Sequence, residues 1–261
     1  MRAIWTGALS FGLINIPIRL YSASRDHEGI SFNLLHKKDL SPIRYARICK
    51  HDGKEIPYNE IVKGYEYQEG DYVVLVDEDF KRANVKKTKS IEIVDFVEEK
   101  QIDPVFYDKP YYLEPGKGAD KAYVLLREAL KKSKKVAIGR YVFHNREHIG
   151  VVKPYHHLLI LEQLRYESEI NDPDQLKIPE SIQLTKQEVA MALKLIEQFS
   201  SSFHPEEYHD SYTEELKEII AEKVKGKKPR AKGKEPKITD VKDIMHLLKA
   251  SLEKTHHRKS A

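Results

Sequence analysis

The chain has 261 residues, 45 Lys and Arg against 41 Asp and Glu, and a formal net charge of +4. That length can bury a sizeable core, and no stretch approaches the roughly 18 apolar residues of a membrane span, so a soluble cytoplasmic protein is expected. The single Cys49 excludes an intrachain disulfide. Charge is unevenly spread. From Lys223 to Ala261 there are 13 Lys and Arg against 4 Asp and Glu, a tail of +9 that leaves about −5 for the rest. An acidic body with a basic tail points to a polyanionic partner.

In chain order, residues 9–23 read as a strand with apolar Phe11, Leu13, Ile16, Ile18 and Leu20, with Gly12 and Pro17 marking a bend or an edge. Ile30–Leu35 is the next strand candidate. Gln68-Glu69-Gly70-Asp71 reads as a turn between strands at Gly64–Tyr67 and Tyr72–Val76. Ser90–Val97 and Tyr111–Leu113 follow as strands. A helix is expected from about Asp120 to Lys134, with Ala122, Leu125, Leu126, Ala129 and Leu130 as its apolar face and lysines in its last turns. Residues 136–165 read as three antiparallel strands with a turn at Asn145-Arg146-Glu147. Seven or more short strands with one inserted helix predict a mixed β and α fold built on a β-barrel, because closure removes edges.

Beyond residue 180 the period becomes helical. Thr185-x-x-Glu188 is a capping box that opens a helix carrying Val189, Ala192, Leu193, Ile196 and Phe199 on one face. Ser211-x-x-Glu214 opens a second, ending at Gly226. A Lys-, Gly- and Pro-rich linker then leads to a last amphipathic helix at about 239–254. The expected plan is a barrel core over 1–180, a dimerising helical arm over 181–225, and a basic linker with a terminal helix over 226–261.

The strongest local signal is HKKDLSPIRYARICKHDGK, residues 36–54, with six Lys and Arg against two Asp. Read as strand, it would place Arg44 and Lys50 on one face and Arg47 on the other. The excursion from about 36 to 67 leaves one strand and returns to another in two limbs, each spanning up to about 45–50 Å if extended. That length covers roughly half the circumference of a duplex of about 10 Å radius, so two arms from a symmetric pair could close around it. Such contacts would fall on sugar and phosphate and ignore base identity.

Enzymatic patterns are missing from the sequence. GALSFG, residues 7–12, lacks the spacing of a nucleophile elbow. EPGKGADK, residues 114–121, departs from a phosphate-binding loop, since Ala119 stands where Ser or Thr would follow. Cys49-x-His51 lacks further ligands, and a strand would separate the rings of His156 and His157. No catalytic residue, metal or cofactor is expected. Two rival readings are a DNA binder that uses its tail alone and a metal-dependent hydrolase.

Six ordered blocks, MRAIWTGALSFGLINIPIRLYSA, LHKKDLSPIRYARIC, EIVKGYEY, YVVLVDEDF, YYLEP and IGRYVF, resemble bacterial Ku, the DNA-end-binding family of non-homologous end joining. The resemblance spans about residues 1–200. It implies a homodimeric β-barrel ring, non-catalytic, threaded onto double-stranded DNA ends by bridges that include 36–67, with ATP-dependent DNA ligase D as partner. A nucleoid-associated protein of the bacterial cytoplasm is implied as well. Some members carry a second cysteine shortly after the first; His51 and Asp52 stand there instead, which argues against a zinc site. The von Willebrand-like domain of larger eukaryotic relatives has no counterpart in these residues. The expected phosphate contacts are Lys37, Lys38, Arg44, Arg47, Lys50 and Lys63, with Arg19 and Arg140 as further candidates. Lys227, Lys228, Arg230, Lys232 and Lys234 of the tail are expected to add contacts, and Ile244, Met245 and Leu248 to dock a protein.

Overall fold

A computed structural model describes residues 1–25, 29–83, 89–144, 146–179, 181–227 and 246–251. The chain divides into two units, Met1–Glu28 with Phe32–Pro173, and Gly29–Ser31 with Asp174–Ala261.

The first unit is built on a closed seven-stranded barrel. Its strands are β1 (Trp5–Phe11), β2 (Ile14–Ser22), β5 (Ser90–Glu98), β6 (Tyr107–Pro115), β7 (Lys135–Phe143), β8 (Arg146–Tyr155) and β9 (Leu158–Leu164). They neighbour one another in the order β1-β2-β6-β9-β8-β7-β5. Closure comes from one short parallel contact, where Leu9 of β1 pairs with Ile91 of β5; every other pairing is antiparallel. The predicted barrel is therefore present.

Alternation explains which side chains fill it. Ile16, Ile18 and Leu20 of β2 point inward with their neighbours outward, and all three are almost fully buried. Leu9, Ile91, Leu113, Val152, Leu159 and Leu161 join them. Space inside is tight. Gly139 and Gly150 pair across β7 and β8, and a Cβ at 150 would fall 2.8 Å from Leu161 Cδ1. Burial of both faces of β8 produces a second, smaller cluster, in which Val136, Val151 and Leu164 meet Ile102, Phe106 and Tyr107.

Several elements differ from their sequence reading. Residues 9–23 form a hairpin and not one bent strand: Gly12 takes a left-handed φ of +56°, and Leu13 is fully exposed at the turn. Ile30–Leu35 is not a strand. Among the described residues its one ladder contact is an isolated bridge from Leu35 to Pro42, and no strand lies beside it. The helix at 120–133 (α2, Asp120–Ser133) is where expected, with Lys134 left-handed at its end. Its buried face is Tyr123, Leu126 and Leu130, whereas Leu125 is 63% exposed. Arg146 and Glu147 already belong to β8, so the β7–β8 turn is tighter than predicted and begins at His144. Lys109-Pro110 lies inside β6, where the register shifts between Tyr107 and Pro110, a bulge that accommodates a residue with no amide donor. Asp77-Glu78-Asp79 opens a short helix (α1, Asp77–Ala83).

In the second unit, α3 (Lys186–Phe199) carries the predicted capping box. Thr185 Oγ1 accepts from the Glu188 amide at 3.2 Å, and Glu188 accepts from the Thr185 amide at 2.7 Å. The helix α4 (Ser211–Val224) is capped one residue earlier than predicted, by Asp210 accepting from the Thr213 amide at 3.0 Å. Gly226, with φ +72°, follows its end. Of the predicted helix at 239–254, the described residues His246–Ser251 are helical.

Candidate nucleic-acid interface

After Ser22 the chain leaves the barrel, and it re-enters at Ser90. The predicted 36–67 segment lies within this longer off-barrel stretch. None of residues 31–80 is buried. Its described residues include two small loops, a 3-10 turn at Tyr58–Glu60, a hairpin and a helix.

The first loop runs from Leu34 to Ile43. The His36 amide donates to the Ser41 carbonyl, the Leu40 amide to the His36 carbonyl, and the Ile43 amide to the Leu34 carbonyl, at 2.8–2.9 Å. Leu40 carries φ +57°. Asp39 folds the tip, accepting from the Ser41 amide at 3.1 Å and contacting His36 Nδ1 at 2.9 Å. Those hydrogen bonds, the Ser41 amide foremost, hold its carboxyl below the usual range.

The second loop runs from Arg47 to Ile56 and is built the same way. The Cys49 amide donates to the Lys54 carbonyl, the Gly53 amide to the Cys49 carbonyl, and the Ile56 amide to the Arg47 carbonyl. Gly53 takes φ +73°. Asp52 accepts from the Lys54 amide at 3.2 Å, and that bond and one from Cys49 lower its pKa too. Residues 36–54 are thus two turned loops, not the strand expected, so the facing argument for Arg44, Lys50 and Arg47 does not apply.

The candidate cations separate into two groups. Lys37, Lys38 and Lys50 occupy the loop tips, exposed, and among the described residues none of the ion pairs made by these loops involves them. Four others, Arg44, Arg47, Lys63 and Arg19, are engaged. Arg44 pairs with Glu55 at 2.9 Å, and the Arg47 guanidinium lies 5.0 Å from the Tyr58 ring centroid. Lys63 Nζ lies 4.8 Å from the Phe80 ring. On the barrel, Arg19 pairs with Glu114 at 3.3 Å, and Glu114 also accepts from the Tyr21 hydroxyl at 2.6 Å. Arg140 is exposed on β7 opposite Glu92 of β5. Glu55, Tyr58 and Phe80, the partners that hold these cations, were not among the sequence candidates, because nothing local in sequence joins them to their cations.

Lys63 opens a two-stranded hairpin, β3 (Lys63–Gln68) and β4 (Asp71–Leu75), turning at Glu69-Gly70 as predicted. Tyr65 faces Val73 and Glu66 faces Tyr72 across it. Among the described residues both strands lack a further neighbour, and Tyr65, Tyr72, Val73 and Val74 stay about half exposed or more. A lone two-stranded hairpin is marginal in water.

In the tail, Lys227 is exposed just after α4, and Leu248 is half-buried in the His246–Ser251 helix. Lys228, Arg230, Lys232, Lys234, Ile244 and Met245 lie outside the described residues. Among the described residues, no three His, Cys, Asp or Glu side chains converge to hold a metal ion, and no helix is long and apolar enough to cross a membrane.

The Ku70/Ku80 beta-barrel domain family matches residues 10–191. The protein named non-homologous end joining protein Ku of Opitutus terrae is 42% identical, over 98% of this chain and 92% of its own length. Its namesakes from Bacillus subtilis and Archaeoglobus fulgidus are 36% and 39% identical, over 98% and 97% of this chain and 83% and 99% of theirs. Among solved structures, the SPOC domain of human PHD-finger protein 3 covers 63% of this chain and 97% of its own at TM-score 0.31 and 10% identity, too low to support an inference. Barrel, off-barrel excursion and near full-length similarity agree, and the chain belongs to the Ku family of non-homologous end joining proteins.

Proposed function

We propose that this protein binds double-strand DNA ends without regard to sequence, as a homodimeric ring, and recruits ATP-dependent DNA ligase D for non-homologous end joining in the bacterial cytoplasm. The chain acts as a clamp and performs no chemistry itself. One observation carries the reading: a stretch rich in basic side chains and large apolar residues leaves the barrel and contains nothing buried among its described residues. Apolar surface on this scale marks an interaction face, and a second copy of the same chain is the partner that closed symmetry supplies. The cations on the same stretch then line the inside of the pair, where they meet phosphate.

The helical arm adds to this pairing. Val189, Leu193, Ile196 and Phe199 of α3 stay exposed along one face, as expected of a helix whose partner lies on another copy. Lys227, with Lys228, Arg230, Lys232 and Lys234, adds non-specific phosphate contacts, and the terminal helix around Ile244, Met245 and Leu248 docks the ligase. Affinity for a linear duplex should exceed that for the same DNA as a covalently closed circle at matched salt. Equal affinity for the two would remove threading from the account.

A further inference from the structure

The two loops of the excursion are one design repeated at a fixed step. Every backbone bond of the first recurs 13 residues later: His36 to Ser41 becomes Cys49 to Lys54, Leu40 to His36 becomes Gly53 to Cys49, and Ile43 to Leu34 becomes Ile56 to Arg47. The isolated bridge from Leu35 to Pro42 becomes Ile48 to Glu55. The left-handed residue moves from Leu40 to Gly53, and the aspartate that caps the tip moves from Asp39 to Asp52. Even the side-chain contact behind each aspartate is repeated, from His36 in one loop and Cys49 in the other. In sequence the correspondence shows as HKKD against CKHD, with Leu35 and Ile43 answered by Ile48 and Ile56.

The repeat has an electrostatic consequence. In each tip the one carboxylate is committed to backbone amides and held in its charged form, while the two side chains before it, Lys37-Lys38 and Lys50-His51, project from an exposed turn. Three lysines are left without a carboxylate partner in these loops. The two arginines of the stretch do the opposite. Arg44 sits in the short link between the loops and is tied to Glu55 on the return limb of the second; Arg47 begins that loop and lies over Tyr58.

We propose that the excursion carries a tandem phosphate grip: two equivalent tips, Lys37-Lys38 and Lys50-His51, each seated on the sugar–phosphate backbone of one duplex, with Arg44 and Arg47 as positioning residues that set the second tip relative to the first. This rests on the DNA-binding reading above and assigns its contacts. Turned tips that end in ammonium groups suit a backbone partner, because lysine binds phosphate as a point charge and reads no base edge.

The test uses the full chain and a blunt fluorescent duplex, with affinity followed against salt. Each lysine contact removed should flatten the slope of log affinity against log salt by about 0.9 per copy on B-form DNA. Lys37→Gln with Lys38→Gln, and Lys50→Gln alone, should each flatten it, and the triple variant should combine both losses. Replacing CKHDGK at 49–54 by HKKDLS should preserve binding, since the two tips are interchangeable. Arg44→Gln with Arg47→Gln should instead raise protease cleavage within 44–60. Matching circular dichroism and melting temperature keep folding out of the comparison. A triple variant with the wild-type slope, or a loss confined to one tip, would overturn the tandem grip. Wild-type preference for linear over closed circular DNA, measured alongside, reports on end binding, so either idea can fail while the other stands.

Discussion

The hydroxyl of Tyr123 donates to the Leu113 carbonyl at 2.6 Å, pinning α2 to β6. The same oxygen accepts from the Leu159 amide of β9, also at 2.6 Å, so one side chain ties the helix to two barrel strands. Tyr123→Phe keeps the ring and strands the buried Leu159 amide. Stability in urea should fall by about 1–3 kcal/mol, with DNA binding under native conditions unchanged. A midpoint equal to wild type would show that the amide finds another acceptor.

A second core prediction concerns Gly150. Its absent Cβ is what allows Leu161 Cδ1 and the Glu162 carbonyl to approach. Gly150→Ala should cost about 1–3 kcal/mol through overpacking. Gly70→Ala, at a turn with open space but φ +82°, should act only through local backbone strain. Comparing the two by chemical denaturation separates crowding from conformation.

His148 makes stability depend on pH. Its ring stacks on Tyr141 with centroids 5.5 Å apart, and burial pushes its pKa below the ordinary 6.5, against a smaller opposing effect from the Phe143 carbonyl. A folded-state value below the unfolded one means that folding favours the neutral ring. The contribution is complete above about pH 6.5 and is lost as pH falls through the folded value. Wild type should therefore lose stability as pH falls below about 6.5, and His148→Phe should lose less. Parallel curves for the two proteins would contradict the assignment.

The barrel was legible because alternation is a local signal. Ile16, Ile18, Leu20, Ile91 and Ile93 announce their inward faces within a few residues. Errors arose where the deciding partner is distant. The face of α2 turns on Tyr123, whose hydroxyl has acceptor and donor on other strands, so a rule that weighs only apolarity chose Leu125 instead. Ile30–Leu35 has strand composition but no strand beside it. Asp210 displaced Ser211 as the cap of α4 because a carboxylate one position earlier reaches the Thr213 amide. The basic stretch was visible as charge, whereas its division into tip lysines and braced arginines required the positions of Glu55 and Tyr58.

Sequence independence gives a further prediction. Arg44→Ala with Arg47→Ala should weaken binding to unrelated duplexes by the same factor, because no base edge is read. A loss confined to one sequence would show direct readout.

Pairing of two copies can be tested by sedimentation. Leu193→Glu with Ile196→Glu places charge on the exposed face of α3 and should shift the protein towards monomer. Deleting residues 226–261 should leave the dimer intact. A monomer after the deletion, or a dimer indifferent to the charges, would move the interface elsewhere.

The central claim is that a duplex end must pass through the pair of excursions. Footprinting on one blunt duplex, with its ends free and then with both ends closed by bulky hairpins, tests this most directly. Protection that begins at the free ends and disappears when they are closed is the predicted result; equal protection of both substrates would contradict it.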